Sequence, residues 1–169
     1  MNDDHIAVKP YVPADAAAVA GLLVRAGWAR RYAEGQLVTL AALAENPDGV
    51  AMVAVSNRRL VGYAAADFHA FNRLGRVHGL VVHPDFRRTG VATMLIDAAE
   101  EFLLGKAARG CYVETPVDND GGRAFYEAAG YTAGCVMERF YADDLDGVTY
   151  VHFFDTPLLS SSRAGALQS

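Results

Sequence analysis

Cysteine is scarce in this chain. Its 169 residues include two cysteines, Cys111 and Cys135. One pair in a chain of this length does not make a disulfide framework. The N-terminal run Met-Asn-Asp-Asp-His also lacks the basic and apolar regions of a signal peptide. We therefore expect a cytoplasmic protein whose two thiols are reduced and buried.

Long hydrophobic runs, clustered metal ligands and a basic charge excess are missing as well. No apolar run approaches the roughly 20 residues that span a bilayer, so we expect no membrane segment. The five histidines are scattered and no Cys/His cluster has zinc-like spacing, so we expect no metal. The formal net charge of −5 disfavours a nucleic-acid binder, which usually carries a basic excess.

Two common phosphate-binding loops are absent from the sequence. There is no Gly-x-x-x-x-Gly-Lys-Ser/Thr and no Gly-x-Gly-x-x-Gly after a strand. A P-loop nucleotide triphosphatase and a dinucleotide-dependent dehydrogenase are therefore disfavoured. A phosphorylated cofactor remains compatible with an acidic chain, because such a cofactor needs only local positive charge.

Turn residues and apolar periodicity divide the chain into helices and strands. The stripe Val19, Leu22, Leu23 and Ala26 predicts an early helix, and two apolar runs around Asn57-Arg58-Arg59 predict a β-hairpin. The whole predicted order is β-α-α-β-β-β-α-β-α-β-β, an α/β chain with a mixed sheet and helices on its faces. We expect one domain over residues 1–159 and a disordered tail over residues 160–169.

The segment 76–93 places arginines and a glycine between a predicted strand and a long predicted helix. A helix start leaves backbone N–H groups unpaired and carries partial positive charge, so it binds phosphate readily. Gly90 and Ala92 have little side chain and let an anion approach the backbone, where Arg87 and Arg88 add charge. Taken alone, the same pattern also fits an ordinary turn with solvated arginines.

Two blocks of the sequence match known motifs. The first is Arg87-Arg88-Thr89-Gly90-Val91-Ala92, and the second is Asn119 followed by Phe125-Tyr126-Glu127 and Gly130-Tyr131. They resemble the Gln/Arg-x-x-Gly-x-Gly/Ala pyrophosphate motif and the Asn…Phe-Tyr-Glu-x-x-Gly-Phe/Tyr block of the GNAT superfamily of acyl-CoA N-acyltransferases. The resemblance implies the GNAT fold. It also implies transfer of an acetyl group from acetyl-CoA to a primary amine by direct attack in a ternary complex.

The resemblance further implies where acetyl-CoA binds. Backbone groups of Leu80, Val81 and Val82 would pair with the pantetheine arm like an added strand, although all three residues also fit a plain core strand. The other implied contacts come from the helix start and the second block: Arg87, Arg88, Thr89, Gly90, Val91, Ala92, Thr93, Asn119 and Tyr126. Asn119 either contacts the cofactor or ties down its own loop.

Three residues are candidates for the chemistry. Tyr126, by its place in the second block, would protonate the leaving thiolate. The attacking amine must be neutral, so a base is needed, and Glu114 and His78 are both candidates. A glutamate at the place of Glu114 serves as base in ribosomal-protein acetyltransferases of this superfamily, which the chain resembles locally. Strand alternation puts Arg76, His78 and Leu80 on one face, from which His78 would accept a proton near neutral pH. Structural roles are the alternatives for all three candidates.

The acceptor is expected to be a small-molecule or peptide amine. It would enter over the first two helices, where Trp28, Tyr32 and Phe68 would form walls. Members of the superfamily often dimerise, so a homodimer is a further expectation. The alternative function is a non-catalytic acyl-CoA-binding sensor or interaction protein on the same fold, and the presence of Tyr126 favours catalysis.

Overall fold

The computed structural model describes residues 5–154 as seven strands and four α-helices. The strands are β1 (Ile6–Pro10), β2 (Gly49–Ser56), β3 (Arg59–His69), β4 (Leu74–Val82), β5 (Gly110–Pro116), β6 (Thr132–Ala142) and β7 (Leu145–Phe153). The helices are α1 (Ala16–Arg25), α2 (Arg30–Glu45), α3 (Val91–Gly105) and α4 (Asp120–Ala128). The predicted β-α-α-β-β-β-α-β-α-β-β order is confirmed, while the predicted tail over 160–169 lies outside the described residues. No helix within 5–154 is long and apolar enough to cross a membrane.

All of these strands form one mixed sheet in the order β1-β2-β3-β4-β5-β7-β6. Neighbouring strands are antiparallel, except that β4 and β5 run parallel. A parallel pair needs a crossover connection, and α3 supplies it. The chain therefore leaves the end of β4, at the centre of the sheet, and enters α3 after the short connection 83–90.

Helices cover both faces of the sheet. Leu22 of α1 and Leu40 of α2 pack with Val53 of β2 on one face, called here the α1/α2 face. Leu103 of α3 packs with Val77 of β4 on the other, called the α3 face, which α4 also covers. Burial on both faces explains why β2 and β3 are nearly continuous apolar runs.

The pairing of β4 with β5 stops part-way along both strands. Its last Cα partners are Val77 and Val113. Beyond them β4 stays paired with β3 as far as Val82, and β5 stays paired with β7 as far as Pro116. The two central strands therefore separate and leave an opening in the sheet, and the backbone groups that face this opening have no strand partner among the described residues.

A β-bulge lies beside this opening. The register of β3 against β4 skips His78, which is the extra residue between Val77 and Gly79. An extra residue reverses the alternation of faces along a strand. The prediction that Arg76, His78 and Leu80 share one face is therefore wrong for Leu80, which packs on the α3 face as Val77 does.

Candidate active site

The chain enters α3 through an exposed turn. Arg88 (φ 65°) and Gly90 (φ 88°) both have left-handed backbone conformations. The Thr89 hydroxyl donates a hydrogen bond to the carbonyl of Phe86 at 2.6 Å. Left-handed residues in a turn bring successive N–H groups to one side, where they form a nest for an anion. The first amides of α3, from Val91 onward, lack intrahelical acceptors and extend the same row.

The predicted pyrophosphate residues contribute in two different ways. The side chains of Arg87 and Arg88 are exposed at the turn and supply positive charge. Val91 is 1% exposed, so only its backbone amide is available to a ligand. Ala92 and Thr93 follow in the first turn of α3 and are not buried. The turn thus offers backbone amides from the helix and charge from the arginines.

A cavity of about 180 Å³ lies between α3 and α4. It is lined by Thr93, Ile96, Asp97, Glu100, Phe125, Ala128 and Ala129. Thr93 belongs to the first turn of α3, and Phe125 is next to Tyr126 in α4. The cavity therefore extends from the first turn of α3 along the surface that α3 and α4 share.

Leu80, Val81 and Val82 lie on the part of β4 that β5 leaves. Leu80 and Val82 pack on the α3 face, and Val81 packs on the α1/α2 face. Their side chains belong to the core, as expected for a plain core strand. Their backbone edge toward the opening lacks a strand partner, as backbone pairing with a pantetheine arm would require. An extended amide chain is the kind of ligand that pairs with such an edge.

Tyr126 lies in α4 among aromatic rings on the α3 face. It is 6% exposed, and its ring stacks on Tyr150 with 5.9 Å between centroids. Burial raises the pKa of the Tyr126 phenol above its ordinary value, and the neighbouring Tyr141, Cys111 and Tyr63 raise it further. The phenol therefore keeps its proton well above neutral pH and is a donor.

The Tyr126 hydroxyl is available for a ligand. It has no hydrogen-bond partner among residues 5–154. Ser56 Oγ is the one side-chain oxygen or nitrogen of these residues that is both sealed from solvent and unpaired. The hydroxyl of Tyr126 is thus not sealed, and it keeps access to the space around it.

Asn119 ties its own loop to the start of α4. Its Oδ1 accepts a hydrogen bond from the Gly122 amide at 3.1 Å, and its Nδ2 donates to Thr115 Oγ1 at 2.9 Å. Both ends of the side-chain amide are therefore used inside the protein. This favours loop-tying among the two predicted roles, and a contact of Asn119 with the cofactor stays a prediction.

Five polar residues lie on the α1/α2 face beside the opening, and they are called here the polar cluster: Asp67, His69, Arg76, His78 and Glu114. Asp67 Oδ1 accepts hydrogen bonds from His78 Nε2 at 2.9 Å and from His69 Nε2 at 3.1 Å. Arg76 Nε donates to Glu114 Oε2 at 3.2 Å and so joins β4 to β5. Both predicted base candidates therefore lie in one cluster. Each comes directly after the last residue of its strand that takes part in the β4–β5 pairing.

Asp67 is the member of the cluster with two hydrogen bonds to imidazoles, and sequence reasoning missed it. Burial alone would raise the pKa of its carboxyl, but the hydrogen bonds and charges of His78 and His69 outweigh burial, and the pKa is lowered. The available signal was the pairing of β3 with β4, which sets Asp67 opposite Arg76. That pairing follows from the register that the turn between β3 and β4 sets, which the sequence did not reveal.

Tyr32 connects α2 to the β6–β7 hairpin. Its hydroxyl donates a hydrogen bond to the backbone carbonyl of Tyr141, and the two rings meet edge to face with 6.3 Å between centroids. Burial raises the pKa of the Tyr141 phenol to about 12, helped by the charge of Glu114 and opposed by that of Arg76. The link therefore lies close to the polar cluster.

The three predicted wall residues are not brought together. Trp28 is partly buried and packs against the core on the α1/α2 face, the side on which Tyr32 lies. Phe68 packs instead against the core on the α3 face. Its strand partner is Gly75, whose missing side chain leaves room for Leu103 of α3. Phe68 is thus on the other side of the sheet, and the structure does not bring it to this wall.

The order of the elements and the residues at the opening agree with a known family. Residues 19–131 match the model of the acetyltransferase (GNAT) family. The chain belongs to this family. The match includes β4, α3, Glu114, Asn119 and Tyr126, so the predicted family, its fold and the acetyltransferase activity class are confirmed.

Individual members of the family show how far the likeness extends. N-alpha-acetyltransferase 30 of Schizosaccharomyces pombe is 29% identical over 102 residues, which are 59% of this chain and 68% of the relative. A GNAT-family acetyltransferase of Desulfovibrio desulfuricans superposes with a TM-score of 0.78 at 20% identity, over 88% of this chain and 99% of the other. The PaiA N-acetyltransferase of Thermoplasma acidophilum, solved with coenzyme A, gives a TM-score of 0.72 at 14% identity, over 89% and 99%.

Proposed function

We propose that this acetyltransferase moves an acetyl group from acetyl-CoA to a primary amine by direct attack in a ternary complex. The observation that carries the proposal is the opening between β4 and β5, because it connects the two sides of the sheet. Tyr126 lies on the α3 face, and the polar cluster lies on the α1/α2 face. A donor and an acceptor that enter from opposite faces would meet at this opening.

Three features of the donor side fit acetyl-CoA. The turn before α3 suits the pyrophosphate, with charge from Arg87 and Arg88 and backbone amides over 89–93. The cavity between α3 and α4 has room for part of the linear cofactor. The free edge of β4 over Leu80–Val82 suits the amides of the pantetheine arm. The structure of the PaiA relative with coenzyme A supports this choice of cofactor.

The transfer forms one C–N bond and breaks one C–S bond. The amine nitrogen attacks the thioester carbonyl carbon, and the leaving thiolate takes a proton from the Tyr126 phenol, which solvent later restores. The proton that the amine loses goes to a base, and both His78 and Glu114 have the position for this role. The products are the acetylated amine and the CoA thiol. Holding the two substrates in the opening supplies a further part of the rate.

The acceptor would lie on the α1/α2 face, against Tyr32, Tyr141 and Trp28. The carboxylates of Asp67 and Glu114 attract a cation and so favour approach of an ammonium group, which must lose a proton before attack. A small-molecule or peptide amine fits this face, and the N-alpha-acetyltransferase relative supports an amine of this kind. A single domain over 1–159, a homodimer and a cytoplasmic location stay predictions.

Thiol release tests the proposed reaction. The protein is mixed with acetyl-CoA and with panels of peptides, polyamines and aminoglycosides, and free CoA is measured with a thiol reagent. We expect release that depends on one class of amine. Binding of acetyl-CoA in calorimetry without release for any amine would instead identify a non-catalytic acyl-CoA binder.

The cofactor site has its own test in calorimetry. Arg88→Ala should weaken acetyl-CoA binding about tenfold, because one charge-assisted contact to phosphate is lost. Arg25→Ala, which removes an exposed arginine at the end of α1, is the matched control and should leave binding unchanged. Equal affinities of the two variants would contradict the placement of the pyrophosphate.

A further inference from the structure

One carboxylate oxygen of Asp67 accepts hydrogen bonds from two imidazole rings. His78 Nε2 donates to Asp67 Oδ1 at 2.9 Å, and His69 Nε2 donates to the same atom at 3.1 Å. The side chains of His78 and Asp67 are 17% and 20% exposed, so water competes only partly for this contact. A histidine whose Nε2 proton is donated to a carboxylate carries its lone pair on Nδ1.

His78 is also fixed through its backbone. It is the extra residue of the bulge, and its carbonyl accepts a hydrogen bond from Gln36 Nε2 at 3.0 Å. Gln36 Oε1 in turn accepts a hydrogen bond from the Tyr63 hydroxyl at 3.2 Å. His78 is therefore held by one bond to its ring and one to its backbone carbonyl, at the first position after the last β4–β5 pair.

We propose that Asp67 is a positioning residue for His78, which acts as the general base of the transfer. This inference rests on the proposed acetyltransferase reaction and goes beyond it by choosing between the two base candidates. Nδ1 of His78 accepts the proton that the attacking amine loses, and the resulting imidazolium keeps its Nε2–H···Oδ1 bond to Asp67. Solvent then removes the proton and restores the neutral ring.

The neighbours of the two candidates favour His78 as the base. Asp67 accepts the Nε2 hydrogen of His78, and this contact orients the ring and leaves the Nδ1 lone pair as the proton acceptor. Glu114 differs, because its Oε2 already accepts a hydrogen bond from Arg76 Nε at 3.2 Å. Glu114 therefore serves as a fixed negative charge that attracts the ammonium form of the acceptor.

Other charged or titratable groups face the same region from each neighbouring element. His69 lies on β3, Arg76 on β4, Tyr112 and Glu114 on β5, and Tyr141 at the end of β6. Tyr112 interacts electrostatically with Arg76, Glu114 and Asp67, and burial raises the pKa of its phenol above the ordinary value. Neither tyrosine is charged near neutral pH, so the two carboxylates, the guanidinium and the histidines set the local charge.

The decisive experiment is Asp67→Asn in the full-length protein, with kcat and the KM values for the amine and for acetyl-CoA measured by thiol release. Asparagine keeps an oxygen acceptor but removes the charge that stabilises the imidazolium. We expect kcat to fall about tenfold or more, with KM for acetyl-CoA unchanged. Asp67→Glu, which keeps a carboxylate, should recover part of this loss.

A double variant separates positioning from mere structural support. If Asp67 acts through His78, Asp67→Asn causes no further loss of kcat in a His78→Ala background. Asp48→Asn is the matched control, because the side chain of Asp48 is a half-exposed carboxylate that pairs with Lys106 and not with a member of the cluster. Equal losses of kcat from Asp67→Asn with and without His78 would overturn the inference.

A measurement on the unliganded wild-type protein tests the inference without any turnover. Nitrogen-15 NMR of the imidazole rings shows which nitrogen of His78 carries the proton. A proton on Nε2 is expected, and a proton on Nδ1 would overturn the proposal even if Asp67→Asn failed to fold. Absence of CoA release by the wild type with every amine would count against the proposed function instead, so the two failures are distinct.

Discussion

Arg76 Nε donates a hydrogen bond to Glu114 Oε2 at 3.2 Å, across the point where β4 and β5 separate. The side chain of Glu114 is 13% exposed and that of Arg76 is 35% exposed. The pair thus joins two strands that have no further backbone bonds to each other beyond Val77 and Val113. It bridges the mouth of the opening and places a carboxyl group at its edge.

The first prediction concerns the strength of this ion pair. In a double-mutant cycle with Arg76→Ala and Glu114→Ala, we expect a coupling of about 0.5 to 1 kcal/mol in the free energy of unfolding, since solvent screens Arg76 in part. Urea unfolding measures it, and the coupling should shrink at about 1 M salt. The exposed pair Arg30 and Glu34 is the control and should couple less. Absence of coupling at low salt would contradict an ion pair between Arg76 and Glu114.

The second prediction concerns Tyr126 as proton donor. Tyr126→Phe should lower kcat about a hundredfold, because the leaving thiolate loses its acid, while acetyl-CoA affinity stays unchanged. Stopped-flow thiol release and calorimetry measure the two quantities. Tyr150→Phe, on the ring stacked against Tyr126, is the matched control and should retain most of the turnover. Unchanged turnover in Tyr126→Phe would remove the acid role.

The raised pKa of Tyr126 gives the third prediction, on pH. The Tyr126 phenol acts in its protonated form. A raised pKa therefore keeps the enzyme active to higher pH. We therefore expect no loss of kcat from ionisation of Tyr126 up to about pH 10, the ordinary value for a phenol. A pH profile of kcat at saturating substrate checks this. A basic limb below that pH that disappears in Tyr126→Phe would show that burial does not protect the phenol.

The fourth prediction uses two adjacent glycines of α4. A Cβ at Gly122 would lie 2.3 Å from Asn119 Nδ2, whereas a Cβ at Gly121 meets nothing within 4 Å. Gly122→Ala should therefore displace the Asn119 cap and lower the free energy of unfolding by about 1 to 2 kcal/mol. Gly121→Ala should be neutral or stabilising by up to about 1 kcal/mol. Thermal unfolding of both variants gives the answer, and equal melting temperatures would contradict the cap.

The fifth prediction separates backbone conformation from space at the turn before α3. Gly90 has room for a side chain but a φ of +88°, so Gly90→Ala should cost about 1 kcal/mol and weaken acetyl-CoA binding. Gly105, at the end of α3, also has free space and no such φ, so Gly105→Ala should stabilise the protein slightly. Calorimetry and urea unfolding test the pair. Unchanged acetyl-CoA affinity of Gly90→Ala would contradict the idea that binding needs the left-handed conformation at this position.

The sequence predicts the order of strands and helices because each boundary is marked locally. The apolar stripe that includes Val19, Leu22 and Leu23 marks α1, and the polar turn at Asn57 separates β2 from β3. Local motifs also identify the family and place Tyr126, Arg87 and Arg88 on the right elements. These features depend on neighbours in the chain, which a single sequence shows.

The rest of the site depends on contacts between distant residues. The bulge at His78 arises from the register of β3 against β4, and it moves Leu80 to the face opposite to the predicted one. Asp67 meets His78 only through that register. Phe68 carries no local signal that tells one face of the sheet from the other. The separation of β4 from β5 likewise involves no motif in either strand.

The bulge at His78 also divides β4 into two regions in which the alternation of side chains between the two faces is reversed. Before it, Arg76 serves the side from which the acceptor would enter. After it, Leu80 and Val82 belong to the layer that α3 shares with the cofactor turn. Under the proposed function, a substitution at Arg76 would therefore act on the acceptor side while the half of β4 that packs against α3 stays intact. One additional residue in the strand thus separates the side chains of β4 that would serve the two substrates of the proposed reaction.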